Sequence, residues 1–342
     1  METETDVLGA PYVRRRITLP TDYEGEVEAT LVTLRTPVPT KYAVLYLHGY
    51  VDYFFQTHLA QFFTGRGYDF YALDLRKYGR SLRPHQTPNF CRDIAEYYPE
   101  IDAAMKIIRE DEGHDTVLLN GHSTGGLIAA LYADRVRGKG LIQGVFLNSP
   151  FLEFNEPWLV RRGLAPLLRL LGRVAPKAGI GAQLGTVYGS TIHADYEGEW
   201  HYDLKWKPLN GFKIYAGWTR AISRAHRKAQ RGLAIDVPVL LASSARSYSG
   251  KLGEAAHHAD TVLNVAHMAE YGPRLGPDVT LVQIEGGLHD LTLSAPAVRQ
   301  TLFDEVTFWL DAAPGLHSPA ASGSTRADQT TTPDQQPVPA PE

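Results

Sequence analysis

The sequence contains only one cysteine, Cys91, among its 342 residues. No intrachain disulfide can form, which excludes the disulfide-rich scaffolds of small secreted proteins. Cys91 has no histidine in a recognisable motif beside it, so a catalytic thiol is disfavoured. We expect Cys91 to behave as a small, partly buried apolar residue.

The sequence also lacks a basic excess and a long apolar run. With 34 Lys and Arg residues against 38 Asp and Glu residues, the net charge is −4, so nucleic acid is not an expected partner. No run is apolar over the length that spans a bilayer, although contact with a membrane surface stays open. The N-terminus, Met1–Asp6, is acidic and polar, unlike a signal peptide. We therefore expect a cytoplasmic protein.

Composition divides the chain into a core, an insertion and two tails. Hydrophobic residues make up 44% of the chain, which suffices for a sizeable core. Residues 314–342 are rich in Pro, Ser, Thr, Gln and Ala, which predicts a disordered tail, and residues 1–11 are assigned to a short N-terminal tail. The core is expected at 12–150 and 233–313, with an inserted segment at 151–232.

Short apolar runs alternate with helical patterns in the core. The strand candidates are Arg14–Leu19, Val27–Leu34, Ala43–Leu47, Asp69–Leu73, Thr116–Asn120, Ile142–Asn148, Val237–Ala242 and Val279–Ile284. The helix candidates are Phe54–Thr64, Asp93–Glu110, Thr124–Arg137, Thr261–Tyr271 and Ala297–Asp311. Several strands are apolar at every position, which is typical of strands that helices cover on both faces. The alternation predicts an α/β fold with a mostly parallel sheet and helices on both faces.

A predicted strand and a predicted helix flank the sequence Gly121-His122-Ser123-Thr124-Gly125. This is the G-x-S-x-G pattern in the strand–turn–helix context of a nucleophile elbow. The tight turn requires residues without bulk beside the serine, which Gly121 and Gly125 supply. The helix N-terminus places backbone N–H groups and partial positive charge beside Ser123, where an oxyanion would form. We therefore predict that Ser123 is a nucleophile.

A serine hydroxyl needs a general base that a carboxylate orients. His289 follows the strand Val279–Ile284 and a glycine-rich turn, which places it at the C-terminal edge of the sheet. The chain order typical of this elbow is serine, acid, histidine, so we look for the acid after the strand Val237–Ala242. Asp260 is the preferred candidate, although it also fits a helix N-cap. Glu254, on the same loop, is the alternative acid.

An oxyanion hole needs two backbone N–H donors near the nucleophile. The residue directly after the serine, Thr124, is expected to supply one of them. The turn after Leu47-His48-Gly49 keeps the backbone close to the site, so Tyr50 is expected to supply the other.

These motifs resemble the α/β-hydrolases of the serine aminopeptidase and monoacylglycerol lipase group over about residues 12–312. The resemblance rests on Leu47–Gly49, Leu73–Ser81, Gly121–Gly125, Asp260–Val262 and Gly287–Asp290. It implies an eight-stranded sheet, a helical cap between the sixth and seventh strands, and a triad of Ser123, Asp260 and His289. It also implies carboxylic-ester hydrolysis without a cofactor or a metal. Lysophospholipases and monoacylglycerol lipases belong to this group.

The sequence departs from this group at two places. Lys77 stands where glycine is usual, and an extended loop precedes Asp260, which leaves the identity of the acid open. Within the fold, the alternatives are an aminopeptidase or amidase, a C–C hydrolase and an acyltransferase. A catalytically silent ligand-binding homologue is the alternative outside catalysis.

The alternation of strands and helices stops between residues 151 and 232, where a structureless loop would be implausibly long. We therefore expect a helical cap. The stretch Trp158–Val174 fits a lid helix that touches lipid, but a cap helix packed on the core is favoured. Aromatic residues crowd between 200 and 218. Trp206 and Trp218 are candidates for lining a pocket for a medium or long acyl chain.

Overall fold

A nine-stranded mixed sheet lies at the centre of the computed structural model, which describes residues 3–155, 169–180 and 185–318. The strands are β1 (Thr3–Thr5), β2 (Val13–Asp22), β3 (Gly25–Leu34), β4 (Tyr42–Leu47), β5 (Asp69–Asp74), β6 (Thr116–His122), β7 (Gly144–Asn148), β8 (Val239–Ser244) and β9 (Val279–Ile284). Their order across the sheet is β1-β2-β3-β5-β4-β6-β7-β8-β9. The six strands from β5 to β9 in this order are parallel, and β1, β2 and β3 are antiparallel at one edge. The mostly parallel α/β sheet is thus confirmed.

Helices of the described residues accompany the sheet. They are α1 (Thr57–Gly65), α2 (Tyr98–Lys106), α3 (Thr124–Val136), α4 (Val187–Ile192), α5 (Ala216–Gln230), α6 (Val265–Tyr271) and α7 (Pro296–Ala312). No helix within the described ranges is long and apolar enough to cross a bilayer. Residues 319–342 of the predicted tail at 314–342 and residues 158–168 of the Trp158–Val174 stretch lie outside the described residues.

Helices on the two faces of the sheet enclose two apolar cores. In β4, Leu45 and Leu47 belong to the core that includes α3, whereas Val44 and Tyr46 belong to the core that includes α7. Successive side chains of a strand point to opposite faces. Burial on both faces therefore explains why the central strands are apolar at every position.

The register of the parallel strands brings their C-terminal ends to one edge of the sheet. Leu47 of β4 pairs with Gly121 of β6, and His122 of β6 pairs with Asn148 of β7. The loops that follow β4, β6, β8 and β9 therefore start at the same edge. In open α/β sheets this is the edge where sites form.

Residues 3–11, which belong to the segment assigned to an N-terminal tail, are anchored in two ways. Glu4 of β1 pairs with Arg14 of β2, which adds a ninth strand to the eight that the resemblance implies. The Asp6 carboxylate is buried and receives two hydrogen bonds from the Arg80 guanidinium, both at 2.7 Å. The polar sequence of β1 suits an exposed edge strand, which is why no apolar alternation marks it.

The chain between β7 and β8 contains α4, α5 and a helical stretch at residues 169–174. A Cβ atom on Gly172 would lie 2.4 Å from the carbonyl oxygen of Ala216, so this stretch packs closely against the start of α5. Leu170 and Val174 remain 59% and 69% exposed. The insertion is thus helical in part, and its extent as a separate cap stays a prediction.

Candidate active site

Ser123 occupies the turn between β6 and α3, with φ +53° and ψ −117°. A residue other than glycine rarely adopts this backbone conformation, and surrounding contacts have to stabilise it. A Cβ atom on Gly125 would lie 2.2 Å from the carbonyl oxygen of Leu47, and one on Gly121 would lie 2.6 Å from the carbonyl oxygen of Gly125. Close backbone packing therefore requires both flanking glycines.

The structure brings Ser123, His289 and Asp260 into one chain of hydrogen bonds. Nε2 of His289 lies 2.9 Å from Oγ of Ser123, and Nδ1 of His289 lies 2.8 Å from Oδ2 of Asp260. Because a carboxylate oxygen accepts hydrogen bonds, Nδ1 carries the proton and Nε2 accepts from the serine hydroxyl. All three residues are buried.

Asp260 reaches this site because the long loop after β8 folds back on itself. A short parallel bridge joins Ser247, three residues beyond the strand end, to Asp260. Tyr248 donates its N–H to the carbonyl oxygen of Asp260, and Asp260 donates its own N–H to the carbonyl oxygen of Arg246, both at 2.8 Å. The intervening residues are therefore an excursion, and Asp260 is held near the end of β8.

The side chain of Asp260 does not cap a helix. Its Oδ1 accepts two backbone N–H groups of the following turn, both at 2.8 Å, which leaves Oδ2 for His289. Helix α6 begins only at residue 265, because Asn264 is its N-cap. The alternative acid, Glu254, has a side chain that is 90% exposed and bonds to His258. The geometry therefore favours Asp260.

The loop after β4 approaches the candidate nucleophile from the other side. A Cβ atom on Gly49 would lie 3.1 Å from Cβ of Ser123, so the two backbones are in close contact. His48 fixes this loop, since its Nε2 accepts the N–H of Leu75 at 3.0 Å and its Nδ1 donates to the carbonyl oxygen of Gly49 at 2.8 Å. The next backbone N–H in the loop belongs to Tyr50, one of the two predicted oxyanion donors.

The other predicted donor, Thr124, is the first residue of α3. Its N–H has no acceptor within the helix, because the first turn of a helix leaves its donors unpaired. The helix N-terminus adds partial positive charge at the same place. Thr124 and Tyr50 thus belong to two backbone segments that both contact Ser123, which suits an oxyanion hole.

Asp290 is a fully buried carboxylate directly after the candidate base, and the sequence analysis did not assign it. It accepts hydrogen bonds from Asn148 Nδ2 at 2.7 Å, from Gln56 Nε2 at 3.1 Å, and from both the N–H and the hydroxyl of Thr292. Burial alone would raise the pKa of Asp290, but the positive field of His122 and these donors lower it to about 2. In the sequence, the signal for Asp290 is a charged residue between the candidate base and the apolar Leu291.

His122, the residue before the candidate nucleophile, was not assigned either. It is buried, and its Nδ1 donates to the carbonyl oxygen of Asn148 at 3.2 Å. Its ring centroid lies 4.9 Å from that of His289. Burial lowers the pKa of His122, and its ring packs beside the candidate base.

Aromatic residues of the insertion lie over this edge of the sheet. The ring centroid of Tyr188 lies 5.5 Å from that of the candidate base. Trp218 packs on the ring of Tyr50 with centroids 4.3 Å apart, and Trp206 meets Tyr53 edge-on at 5.1 Å. Both predicted substrate-binding tryptophans therefore contact the loop that carries a predicted oxyanion donor.

Comparison of sequences gives two matches. The family described as "Serine aminopeptidase, S33" matches residues 38–295 of the chain. The monoacylglycerol lipase of Mycolicibacterium smegmatis (strain ATCC 700084 / mc(2)155) is 25% identical over 271 residues, which cover 78% of this chain and 87% of that protein. The family match extends over most of the chain and includes the three site residues.

Solved structures are similar in fold. A soluble variant of monoglyceride lipase from Saccharomyces cerevisiae, in complex with a substrate analog, has a TM-score of 0.63 and 16% identity, and the match covers 86% of this chain and 94% of that one. The monoacylglycerol lipase of Paleococcus ferrophilus has a TM-score of 0.59 and 22% identity, with 82% and 97% covered. These likenesses show the α/β-hydrolase fold, as the sequence predicts. The chain belongs to the serine aminopeptidase, S33 family and is a hydrolytic enzyme of the α/β-hydrolase fold.

Proposed function

We propose that this enzyme hydrolyses carboxylic esters, with Ser123 as the nucleophile and an acyl-enzyme as the intermediate. The observation that carries the proposal is the hydrogen-bonded chain from Ser123 Oγ through His289 to Asp260, at 2.9 and 2.8 Å. A serine, a base and an orienting carboxylate in this order are the parts that acyl transfer requires. The monoacylglycerol lipase relative favours an ester over an amide.

In the first step, His289 accepts the Ser123 proton while Oγ attacks the carbonyl carbon of the ester. Asp260 stabilises the imidazolium through its hydrogen bond to Nδ1. The backbone N–H groups of Thr124 and Tyr50 donate to the oxyanion of the tetrahedral intermediate. The intermediate then expels the alcohol, which takes the proton from His289 and leaves the acyl group on the serine.

In the second step, water replaces the alcohol. His289 removes a proton from the water as its oxygen attacks the acyl carbon, and the same two N–H groups donate to the second oxyanion. Collapse of this intermediate releases the carboxylic acid, and His289 returns the proton to Ser123. Both steps need only groups of the chain and water.

The proposed substrate is a monoester with a medium or long acyl chain, such as a monoacylglycerol or a lysophospholipid. Trp218 contacts the loop after β4 through Tyr50, and Trp206 contacts this loop through Tyr53. An acyl chain that extends from the reacting carbonyl toward the insertion would meet these apolar surfaces. Apolar lining with few polar groups is typical of sites that bind such ligands.

The test compares the wild type with Ser123→Ala on p-nitrophenyl esters from acetyl to palmitoyl, beside a monoacylglycerol, a lysophospholipid and an aminoacyl anilide. We expect ester hydrolysis that rises with acyl length beyond acetyl, and a loss of about 10⁶-fold in kcat for Ser123→Ala. Cleavage of the anilide alone would favour an aminopeptidase. Undiminished ester hydrolysis by Ser123→Ala would refute the mechanism.

The contribution of the tryptophans is tested with Trp206→Ala. Loss of its apolar contact is expected to raise KM for decanoyl esters by about 10-fold, with little effect on acetyl esters. Tyr23→Ala is a suitable control, because Tyr23 packs on Phe90 rather than on the loop after β4. If acetyl and decanoyl esters responded equally to Trp206→Ala, the acyl-pocket assignment would be wrong.

A further inference from the structure

A buried ion pair joins the inserted segment to the loop after β4. Nζ of Lys207 lies 2.8 Å from Oδ1 of Asp52, and the two side chains are only 9% and 2% exposed. No other ion pair of either residue occurs in the part of the chain that the structure describes. Taking two charges out of water is costly, and removal of one partner leaves the other buried and unpaired.

The carboxylate end of this pair belongs to the loop that contacts the candidate nucleophile. Oδ2 of Asp52 faces the N–H of Gly49 at 3.4 Å, and Gly49 packs against Ser123. Between them, Val51 has φ +51°, a conformation that a β-branched residue adopts only when other contacts stabilise it. Asp52 is thus placed to hold this short turn in its strained form.

The lysine end of the pair is packed among aromatic rings. Nζ of Lys207 lies 5.7 Å from the ring centroids of Phe55, Tyr188 and Tyr202. Such distances allow cation–π attraction, which strengthens when water is excluded. Tyr188 also packs edge-on against the ring of His289, so one cluster contacts both the ion pair and the base.

The same segment is tied to both loops of the site by direct hydrogen bonds. The hydroxyl of Tyr53 accepts the N–H of Asp203 at 2.7 Å, and the carbonyl oxygen of Leu293, after the base, accepts Nε1–H of Trp200 at 2.8 Å. Residues 200–207 therefore span the loop after β4 and the loop after β9. The Asp52–Lys207 pair adds an ion pair to these hydrogen bonds.

We propose that the Asp52–Lys207 pair positions the oxyanion loop, residues 48–52. Through this pair, the geometry of the loop depends on the position of residues 200–207. Lys207 then acts through Asp52 and is a positioning residue. The inference rests on the proposed function, since it concerns the oxyanion hole of that mechanism. Its consequence is that loss of the pair weakens transition-state binding more than substrate binding.

The primary test measures kcat, KM and the Ki of a trifluoromethyl ketone for the wild type and Lys207→Met. The ketone forms a tetrahedral adduct with a nucleophilic serine, so its affinity reports the oxyanion hole. We expect kcat to fall by about 10- to 100-fold and Ki to rise by a similar factor, since loss of one oxyanion donor costs about 10²- to 10³-fold. KM is expected to stay within about 3-fold.

The matched control is Lys77→Met. Lys77 is also a fully buried lysine, paired with Asp22 at 2.6 Å and Glu24 at 2.7 Å on the β2–β3 hairpin. Lys207→Met removes the ion-pair partner of Asp52, and Lys77→Met removes that of Asp22, whereas Glu24 keeps Lys177. Each variant thus leaves a buried carboxylate without its cation, so both are expected to lower the melting temperature. Only Lys207→Met is expected to change kcat and the ketone Ki, whereas Lys77→Met should leave both within about 3-fold.

The double variant Asp52→Asn/Lys207→Met covers the case in which Lys207→Met does not fold, because it buries no unpaired charge. We expect it to fold and to keep the reduced kcat and the weakened ketone binding. Wild-type kcat and Ki in a folded variant that lacks the pair would overturn the inference, as would a loss confined to KM. Activity in the wild type that Ser123→Ala abolishes shows that such a failure does not concern the proposed function.

Discussion

The two carboxylate oxygens of Asp260 bind different partners, one the backbone of the following turn and the other His289. Replacement of this residue by asparagine keeps its shape and removes its charge. We expect Asp260→Asn to lower kcat for a p-nitrophenyl ester by about 10³- to 10⁴-fold, because the imidazolium loses its stabilising partner and its correct tautomer. Steady-state kinetics at neutral pH measure this loss.

Glu254→Gln is the matched control for that substitution. The Glu254 side chain lies in solvent beside His258, so its amide variant should retain kcat within about 2-fold. The reverse outcome, with Glu254→Gln inactive and Asp260→Asn active, would move the role of the acid to Glu254.

Asp290 makes the free energy of unfolding depend on pH, because its pKa is lower in the folded protein than in the unfolded chain. Its pKa falls from the usual 3.8 to about 2, so its contribution to folding is complete above about pH 4 and is lost as the pH falls toward about 2. That contribution amounts to about 2 kcal/mol. The variant Asp290→Asn lacks this pH-dependent contribution to the free energy of unfolding.

Urea unfolding of the wild type and Asp290→Asn between about pH 4 and about pH 2 measures this contribution. Other carboxylates titrate alike in both proteins, so the difference between the two curves isolates Asp290. We expect the difference in the free energy of unfolding to shrink by about 2 kcal/mol toward the lower pH. Parallel curves would contradict the low pKa of this carboxyl.

At the scale of elements, the strand–turn–helix unit around Ser123 depends on contacts that glycine alone permits. Gly125→Ala would place a Cβ atom 2.2 Å from a backbone oxygen of β4, so it must displace either α3 or β4. We expect the free energy of unfolding to fall by about 3 kcal/mol and ester hydrolysis to be lost. Gly65→Ala, in α1, is the control, because its Cβ would meet nothing within 4 Å.

Denaturant unfolding and ester hydrolysis of the two variants give the comparison. Gly65→Ala should change the free energy of unfolding by no more than about 1 kcal/mol and should leave hydrolysis intact. Equal stability of both variants would show that the contact between α3 and β4 is looser than the structure describes.

Central strands and the site serine were predictable from sequence because their signals are local. The apolar run Val117–Leu119 and the glycines around Ser123 mark strand, turn and helix within a short window. The start of α1 was not predictable, because contacts with distant residues position the segment before it. Phe54, for example, donates its N–H to Oδ1 of Asp74, the last residue of β5. The helix therefore begins at Thr57 rather than at Phe54.

At the scale of the whole molecule, contacts between distant segments decide what the sequence leaves open. Asp260 was uncertain because its bridge to Ser247 spans an excursion that no local pattern reveals. Segment 1–11 was assigned to a tail because the burial of Asp6 depends on Arg80, far along the chain. Glycine is usual at position 77 because the backbone there has φ +67°. Lys77 occupies the position in this chain, where two buried carboxylates bind its side chain.

We expect the contact between Asp6 and Arg80, which anchors the N-terminal segment, to stabilise the fold. Arg80 is 1% exposed at its side chain and pairs with both Asp6 and Asp74. Asp6→Asn removes one charge from this buried group, and we expect the free energy of unfolding to fall by about 3 kcal/mol. Denaturant unfolding measures it, with Glu4→Gln as the control.

The control differs in exposure. Glu4 pairs with Arg14 at the surface, where the side chains are 59% and 34% exposed, so Glu4→Gln should cost less than about 1 kcal/mol. If Asp6→Asn and Glu4→Gln had the same free energy of unfolding, the contact between Asp6 and Arg80 would not stabilise the fold, and segment 1–11 would behave as a tail.

The central claim is that Ser123 forms the covalent intermediate of an ester hydrolase. The most direct measurement is labelling of the wild type and Ser123→Ala with a fluorophosphonate, followed by peptide mapping of the adduct by mass spectrometry. The account predicts one phosphonyl group on the peptide that contains Ser123, with loss of esterase activity in step with labelling, and no label on Ser123→Ala. An adduct on another residue that accompanies loss of activity, or full esterase activity in the labelled protein, would contradict it.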